Sequence, residues 1–184
     1  NADQYASGDT YSIDNIKGKS FSFVSATSTS GFAIPSSSIV SHFGLESSDQ
    51  LLEDGTFFSS VMFGDSHQGS AVNLLSGNAD AAAFDDIDVD MYFDLVSGEP
   101  NTVGAVYQVK DDAAAPFDTV RGEQFTIIGI TPVLNAPFCY NTDTLSEDEQ
   151  KAITEAMTSA DTAANTAIFY DGEDENATGL VEKE

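Results

Sequence analysis

The sequence predicts an α/β fold: a three-layer lobe in which a mostly parallel, twisted sheet is flanked by helices. Three observations carry this. Apolar strand-like runs at 20–26, 57–63 and 79–84 alternate with helix-like stretches at 31–43 and 68–76. Each passage from strand to helix is marked by Ser, Thr, Asp or Gly, and each helix closes on a glycine, Gly44 or Gly77. The 184 residues can bury a real core, and a hydrophobic content of 41% is that of a globular protein.

Residues 3–15 are polar and without period, and are expected as a lead-in loop. Ile16-Lys17-Gly18-Lys19 is a turn, and Phe21, Phe23 and Val24 make 20–26 the first strand. The helix from Gly31 to Phe43 contains Pro35 just past its first turn, so a kinked or restarted helix is expected. Residues 45–56 are polar connection, and 57–63 is the second strand. Gly64-Asp65-Ser66-His67 leads into a helix over 68–76 with Ala71, Val72, Leu74 and Leu75 as its inner face. A short strand follows at 79–84. The alternation indicates parallel strands joined by right-handed crossovers.

Beyond Asp85-Asp86, the residues 88–95 suggest a further helix and 103–109 a strand. Residues 111–123 form an acidic, Ala- and Pro-containing loop, and Phe125 to Ile130 is the most apolar strand. Ser146 and Glu149 have the spacing of a capping box, opening a helix to about Ser159. The tail from Asp161 is polar and weakly patterned, and no internal repeat is present.

The composition excludes several partner classes. With 31 Asp and Glu against 6 Lys and Arg, the net charge is −25. Nucleic acid and anionic membrane surfaces both need basic residues, so neither is expected as a partner. The acidity reads as a solvated surface, and it opposes any anionic ligand outside a screened cleft, where screening acts over roughly 8–10 Å. One cysteine, Cys139, excludes an intrachain disulfide and a thiolate zinc cluster. Two histidines, His42 and His67, argue against a His-rich metal site, and no cofactor is expected. No run of about 18 apolar residues exists to span a membrane.

Ligands of open parallel sheets bind beyond the carboxyl ends of the strands. Three such ends are nameable: Thr27-Ser28-Thr29-Ser30-Gly31, Asp65-Ser66-His67 and Asp85-Asp86. The first two open helices, where free N–H groups and hydroxyls suit a small oxyanion. One of Ser28, Thr29 and Ser30 suffices to cap the helix, so four consecutive hydroxyls are a surplus. His67 has two readings, an imidazole donor to the anion or an ordinary residue of a first helical turn. Asp85 and Asp86 either accept hydrogen bonds from a protonated or amino-bearing ligand or merely solvate a strand end. There is no G-x-S-x-G elbow, and Lys17-Gly18-Lys19-Ser20 precedes its strand instead of following it, so it is not a phosphate loop. The Asp85-Asp86-Ile87-Asp88-Val89-Asp90 run lacks the glycine of a calcium loop. Asn176-Ala177-Thr178 matches a glycosylation sequon of low specificity.

Several of these segments together resemble the phosphonate/phosphate/phosphite substrate-binding proteins of ABC importers. They are Gly18-Lys19-Ser20-Phe21-Ser22-Phe23, Ser28-Thr29-Ser30-Gly31 with Pro35, Phe63-Gly64-Asp65-Ser66-His67, Gly77-Asn78-Ala79-Asp80-Ala81-Ala82-Ala83, and Thr131-Pro132-Val133-Leu134-Asn135-Ala136-Pro137. The resemblance runs from about residue 13 to 158. It implies a type II periplasmic-binding-protein fold of two α/β lobes, and a non-catalytic protein that hands an oxyanion to a membrane permease. It implies an extracellular or periplasmic location, with a lipoprotein anchor. By the same resemblance Ser28, Thr29 and Ser30 hold the phosphonyl oxygens with His67 beside them, and Asp85 or Asp86 and Asn135 lie nearer the rest of the ligand. Residues 1–130 then correspond to the second lobe, and 131–184 to the crossover return and C-terminal helix of a first lobe that is otherwise not represented. The apolar face of that remnant is open to a second copy, so a dimer of this chain is an accompanying expectation. Family members that hold an aminoalkyl group tend to carry an acid where Ala136 stands, which favours a smaller or uncharged ligand. The alternatives are a sensor domain of a signalling receptor with the same fold, and a phosphate-handling α/β enzyme.

Overall fold

Phe21 and Phe23 point to one side of the first sheet and Ser22 to the other, and the architecture grows from that alternation. In the computed structural model, which describes residues 2–133, 139–170 and 181–182, the chain divides into two compact units, Asn1–Leu134 and Asn135–Glu184. The first unit opens on two short antiparallel strands, β1 (Ala6–Ser7) and β2 (Thr10–Tyr11), set between single 3-10 turns at Ala2–Tyr5 and Ile13–Asn15. The expected lead-in loop is therefore structured. Tyr5 and Ile16 are buried in the core, and the Tyr5 hydroxyl donates to the carbonyl of Asp80 at 3.2 Å. Two isolated apolar residues in a polar stretch have no period to announce them.

The central strand is β3 (Ser20–Phe23), with β4 (Ser60–Phe63) and β5 (Ala81–Ala82) parallel to it on either side in the order β4-β3-β5. Helix α1 (Ile34–Phe43) connects β3 to β4, and α2 (His67–Leu75) connects β4 to β5. Phe21 and Phe23 join Phe32, Ile39, Leu51, Phe57 and Phe58 in a cluster on the α1 side, with ring centroids of Phe21 and Phe58 at 4.6 Å and of Phe23 and Phe32 at 5.0 Å. Ser22 meets α2 instead. The Ser70 hydroxyl lies 3.1 Å from both the Ser22 carbonyl and the Ser22 Oγ and 3.0 Å from the Ala83 carbonyl, and Asn73 Nδ2 donates to Ser22 Oγ at 3.1 Å. The two helices thus lie on opposite faces of β3.

The remainder of this unit departs from the expected parallel pattern. Strands β6 (Phe93–Ser97), β7 (Val106–Val109) and β8 (Gln124–Thr126) form an antiparallel sheet in the order β6-β7-β8. The helix expected over 88–95 is replaced by one 3-10 turn, Asp90–Tyr92, and then β6. The cause is tertiary. Phe93 is buried against Phe117 and Phe125, at 5.1 and 5.0 Å between ring centroids, and pairing with β7 satisfies its backbone. The acidic loop 111–123 also contributes core, since Phe117, Ala113 and Val120 are buried with Ala71 and Leu75 of α2.

In the second unit α3 (Glu147–Met157) starts on the capping box expected from its sequence. The Ser146 hydroxyl accepts from the Glu149 amide while the Glu149 carboxylate accepts from the Ser146 amide. Its other described elements are helix α4 (Ala160–Ala163) and a parallel pair, β9 (Phe169–Tyr170) and β10 (Val181–Glu182). Among the described residues no helix is long and apolar enough to cross a membrane.

Candidate oxyanion site at the strand ends

In a sheet ordered β4-β3-β5 the chain leaves β3 to one side and later returns on the other, so the crevice opens beyond the ends of β3 and β5. Three segments reach this point: the turn after β3, the start of α2 and the loop after β5.

After β3 the chain reaches Ser28, whose extended backbone (φ −71°, ψ 132°) is that of an N-cap and whose hydroxyl accepts from the Gly31 amide at 3.1 Å. The next turn, Thr29–Ala33, is π-helical: the Ala33 amide donates to the Ser28 carbonyl and the Ile34 amide to the Thr29 carbonyl. Pro35 explains the restart. It has no N–H for the Gly31 carbonyl four residues back, and the Val24 amide supplies that bond at 3.2 Å. Gly31 is required by packing, because a Cβ there would lie 2.2 Å from Val24 Cγ2. The π turn leaves the Thr29 and Ser30 amides in a first turn, where helical N–H groups have no intrahelical acceptor.

Helix α2 starts in a related way, with the Ser66 hydroxyl accepting from the Gly69 amide at 2.9 Å. Its N-terminus lies against the preceding backbone. A Cβ on Gly64 would come within 2.1 Å of the Ser70 nitrogen, and one on Gly69 within 2.0 Å of the Gly64 carbonyl oxygen. The amides of Gly64 and Asp65 donate to the carbonyls of Phe23 and Val24, joining the two turns directly.

Ser30, His67 and Asp85 converge. The Ser30 hydroxyl donates to Asp85 Oδ2 at 3.0 Å, His67 Nε2 lies 3.1 Å from the same oxygen, and Ser30 Oγ and His67 Nε2 are 3.3 Å apart. The side chains of His67 and Asp85 are 12% and 25% exposed, so the group is recessed yet reachable. The Asp85 amide donates to His67 Nδ1 at 2.9 Å. That bond assigns the tautomer, since an Nδ1 that accepts a hydrogen bond carries no proton, and the proton of the neutral ring must sit on Nε2. Asp85 Oδ1 accepts from the Asp88 amide at 3.2 Å, and Gln68 Nε2 donates to the Asp88 carbonyl at 2.9 Å.

This tautomer decides two chemical questions. His67, Asp85 and Asp88 present donor atoms all within 4.8 Å of one another, a spacing that a metal ion would accept. A cation on Nε2, however, would need that nitrogen stripped of its proton while Nδ1 still accepts from an amide, which is an imidazolate. The cluster is a hydrogen-bond network and does not suit a cation. A Ser-His-Asp relay fails for the same reason: Ser30 and Asp85 face the same ring nitrogen, and no lone pair remains to take the serine proton.

The remaining expected residues divide. Ser28 and Ser66 are caps, Gly31 is a packing position, and Thr27 and Thr29 are exposed, with Thr27 Oγ1 at 3.4 Å from Ser25 Oγ. Asp86 turns away, its Oδ2 accepting from Asn101 Nδ2 at 2.7 Å and its Oδ1 from the Ile87 amide at 3.1 Å. Asn135 lies outside the described residues. Asp88 and Gln68 were not anticipated as part of the network. Gln68 stands directly after His67, and that adjacency is its only sequence signal.

Two capped helix starts, an imidazole with a fixed N–H and a carboxylate, all beyond the carboxyl ends of parallel strands, define a small-ligand-binding α/β protein. The family model of the phosphonate periplasmic substrate-binding proteins of ABC transporters matches residues 5–182, and the chain belongs to that family. Neither the curated proteins nor the solved structures yield a match.

Proposed function

We propose that this protein binds a small tetrahedral oxyanion, phosphonate, phosphate or phosphite, at Ser30, His67 and the first-turn amides of Thr29 and Ser30, for delivery to an ABC importer without catalysis. The convergence of Ser30, His67 and Asp85 at the crevice carries the proposal. Amide N–H groups donate to phosphonyl oxygens, and the Ser30 hydroxyl and His67 Nε2–H can do the same by turning from Asp85 Oδ2, which both face in this structure. Asp85 is the exception, and it shapes the ligand: a carboxylate next to an anion is tolerable where the ligand brings a donor, a P–OH or an amine. His67 is set up as a donor and not as a base, which supports binding over turnover. Residues 1–130 serve as the second lobe of a type II periplasmic-binding-protein fold, with three layers formed by α1, the parallel sheet and α2. Residues 131–184 serve as the return into the first lobe. The protein works outside the cytoplasm.

Calorimetry with methylphosphonate, phosphite and phosphate tests this. Binding of at least one anion is expected, with loss of 10-fold or more in affinity on Ser30→Ala combined with His67→Gln, and no hydrolysis of phosphate monoesters. Salt provides a second criterion. Most anion sites weaken as salt rises, but here a net charge of −25 repels the ligand, so raising ionic strength should tighten binding. No heat with any of the three anions at any salt concentration would sink the proposal.

A further inference from the structure

Asp85 and Asp86 are neighbours with opposite assignments. Asp85 belongs to the oxyanion site, whereas both carboxylate oxygens of Asp86 are engaged by Asn101 Nδ2 and the Ile87 amide. Asn101 is itself held from the antiparallel sheet. Its amide donates to the Tyr107 hydroxyl at 3.0 Å, and that hydroxyl donates to Asn101 Oδ1 at 3.3 Å. Tyr107, in β7, stacks on Phe125 of β8 with centroids 5.5 Å apart and planes at 13°. Phe125 in turn meets Phe84 edge-on at 5.4 Å. The residues on either side of Asp85 are therefore gripped by the same sheet, Phe84 through Phe125 and Asp86 through Asn101. Between them stands the Asp85 peptide, whose N–H fixes the proton of His67 on Nε2. Asn101 also adopts φ 49°, a left-handed conformation that Asn tolerates better than most residues, so the turn is shaped to present this side chain.

We infer that Asn101 is a positioning residue of the oxyanion site: by holding Asp86 it fixes the Asp85 backbone, and the Asp85 N–H keeps His67 in the Nε2–H form, whose proton faces Asp85 Oδ2 here and is available to donate to the ligand. The effect on ligand rests on the oxyanion function proposed above; the effect on the imidazole does not. Nothing in this arrangement requires Asn101 to touch the ligand. Its influence passes through the Asp85–Asp86 and Phe84–Asp85 peptides and one tautomer.

The decisive measurement is the pair of ring-nitrogen shifts of His67 in ligand-free, 15N-labelled protein at about pH 8, above the usual imidazole range, with His42→Gln used to assign the two histidines. The wild type should show a protonated Nε2 and an unprotonated Nδ1. Asn101→Asp keeps the left-handed turn and sets an acceptor against Asp86, and Asn101→Gly keeps the turn and removes the side chain. Both should move the His67 shifts toward a mixture of tautomers and weaken methylphosphonate binding roughly threefold to tenfold, the scale of one hydrogen bond. Thermal midpoints should change little because Asn101 is exposed. Unchanged His67 shifts in both variants overturn the inference whatever happens to binding, and so do altered shifts with undiminished methylphosphonate affinity. If the wild type binds no anion at all, altered shifts still support the coupling of Asn101 to His67, and the oxyanion function alone falls.

Discussion

The two three-stranded sheets of the first unit hold the same helix by different means. The parallel sheet engages α2 with hydrogen bonds, the buried Ser70 and the half-buried Asn73 both reaching Ser22, and keeps its apolar side for α1. The antiparallel sheet engages α2 by burial, Ala71 and Leu75 packing into the cluster of Phe93, Val109 and Phe117. Helix α2 carries His67 at its first residue, so the site inherits directional restraint from one sheet and bulk restraint from the other. Hydrogen bonds set angle and register, whereas apolar packing resists withdrawal.

The largest expected effects test whether these two restraints form one cooperative structure. Phe23→Ala in the parallel half and Phe117→Ala in the antiparallel half each empty a fully buried position, and each should cost about 3–5 kcal/mol. If α2 couples the halves, urea unfolding followed by aromatic fluorescence and by far-UV dichroism should show a single transition displaced equally in both variants. Two transitions, with Phe117→Ala moving only one, would separate the sheets and break the comparison as drawn.

The same contrast governs what the amino-acid sequence reveals. In the parallel half the changes of element are marked by punctuation with a local mechanism: Ser28 before Gly31, Gly64-Asp65-Ser66 before His67, Gly77 with φ 77° after α2. Those signals are read within a few residues. The antiparallel half depends on contacts distant in sequence. Phe117 sits in an Ala- and Pro-containing loop, and 88–95 is rescued from helix by pairing with β7. Tyr5 and Leu51 likewise enter the core from single 3-10 turns in stretches that read as polar connection. At the site, capping residues were legible because capping is local. The division of labour between Asp85 and Asp86 was not, since it depends on an imidazole 18 positions earlier and on Asn101, 15 positions later.

Ser70→Ala is the intermediate test. It removes a buried hydroxyl shared by Ser22 and Ala83 and leaves the apolar packing of α2 intact. A loss of about 1–3 kcal/mol is expected. If α2 angle matters to His67, methylphosphonate binding should weaken as well, although Ser70 is remote from the ligand donors. A stability loss with unchanged binding would assign the orientation of α2 to the antiparallel sheet alone.

The smallest effect is a pH-dependent one at the start of the parallel sheet. Asp80, just before β5, accepts from the Ser20 amide at 2.9 Å and from the Ser20 hydroxyl at 2.7 Å, bonds that tie β5 to the start of β3. Those bonds, and then the nearby Lys19 charge, hold its carboxyl below the ordinary carboxylate range. A depressed folded-state value means that the ionised form is favoured by folding. The contribution is therefore present above the unfolded carboxylate range, about pH 4, and is lost as pH falls through the folded value. Asp80 is exposed, so screening limits the gain to less than about 1 kcal/mol. Asp80→Asn should accordingly lower the urea midpoint slightly at pH 7, with the difference from wild type shrinking below about pH 4. The comparison with wild type at each pH cancels the titration of the other acidic groups, which in a chain of net charge −25 dominates the absolute curve. A gap that stays constant down to pH 2.5 would mean that Asp80 acts through shape rather than charge, and the hydrogen-bonded half would then be as insensitive to pH as the packed one.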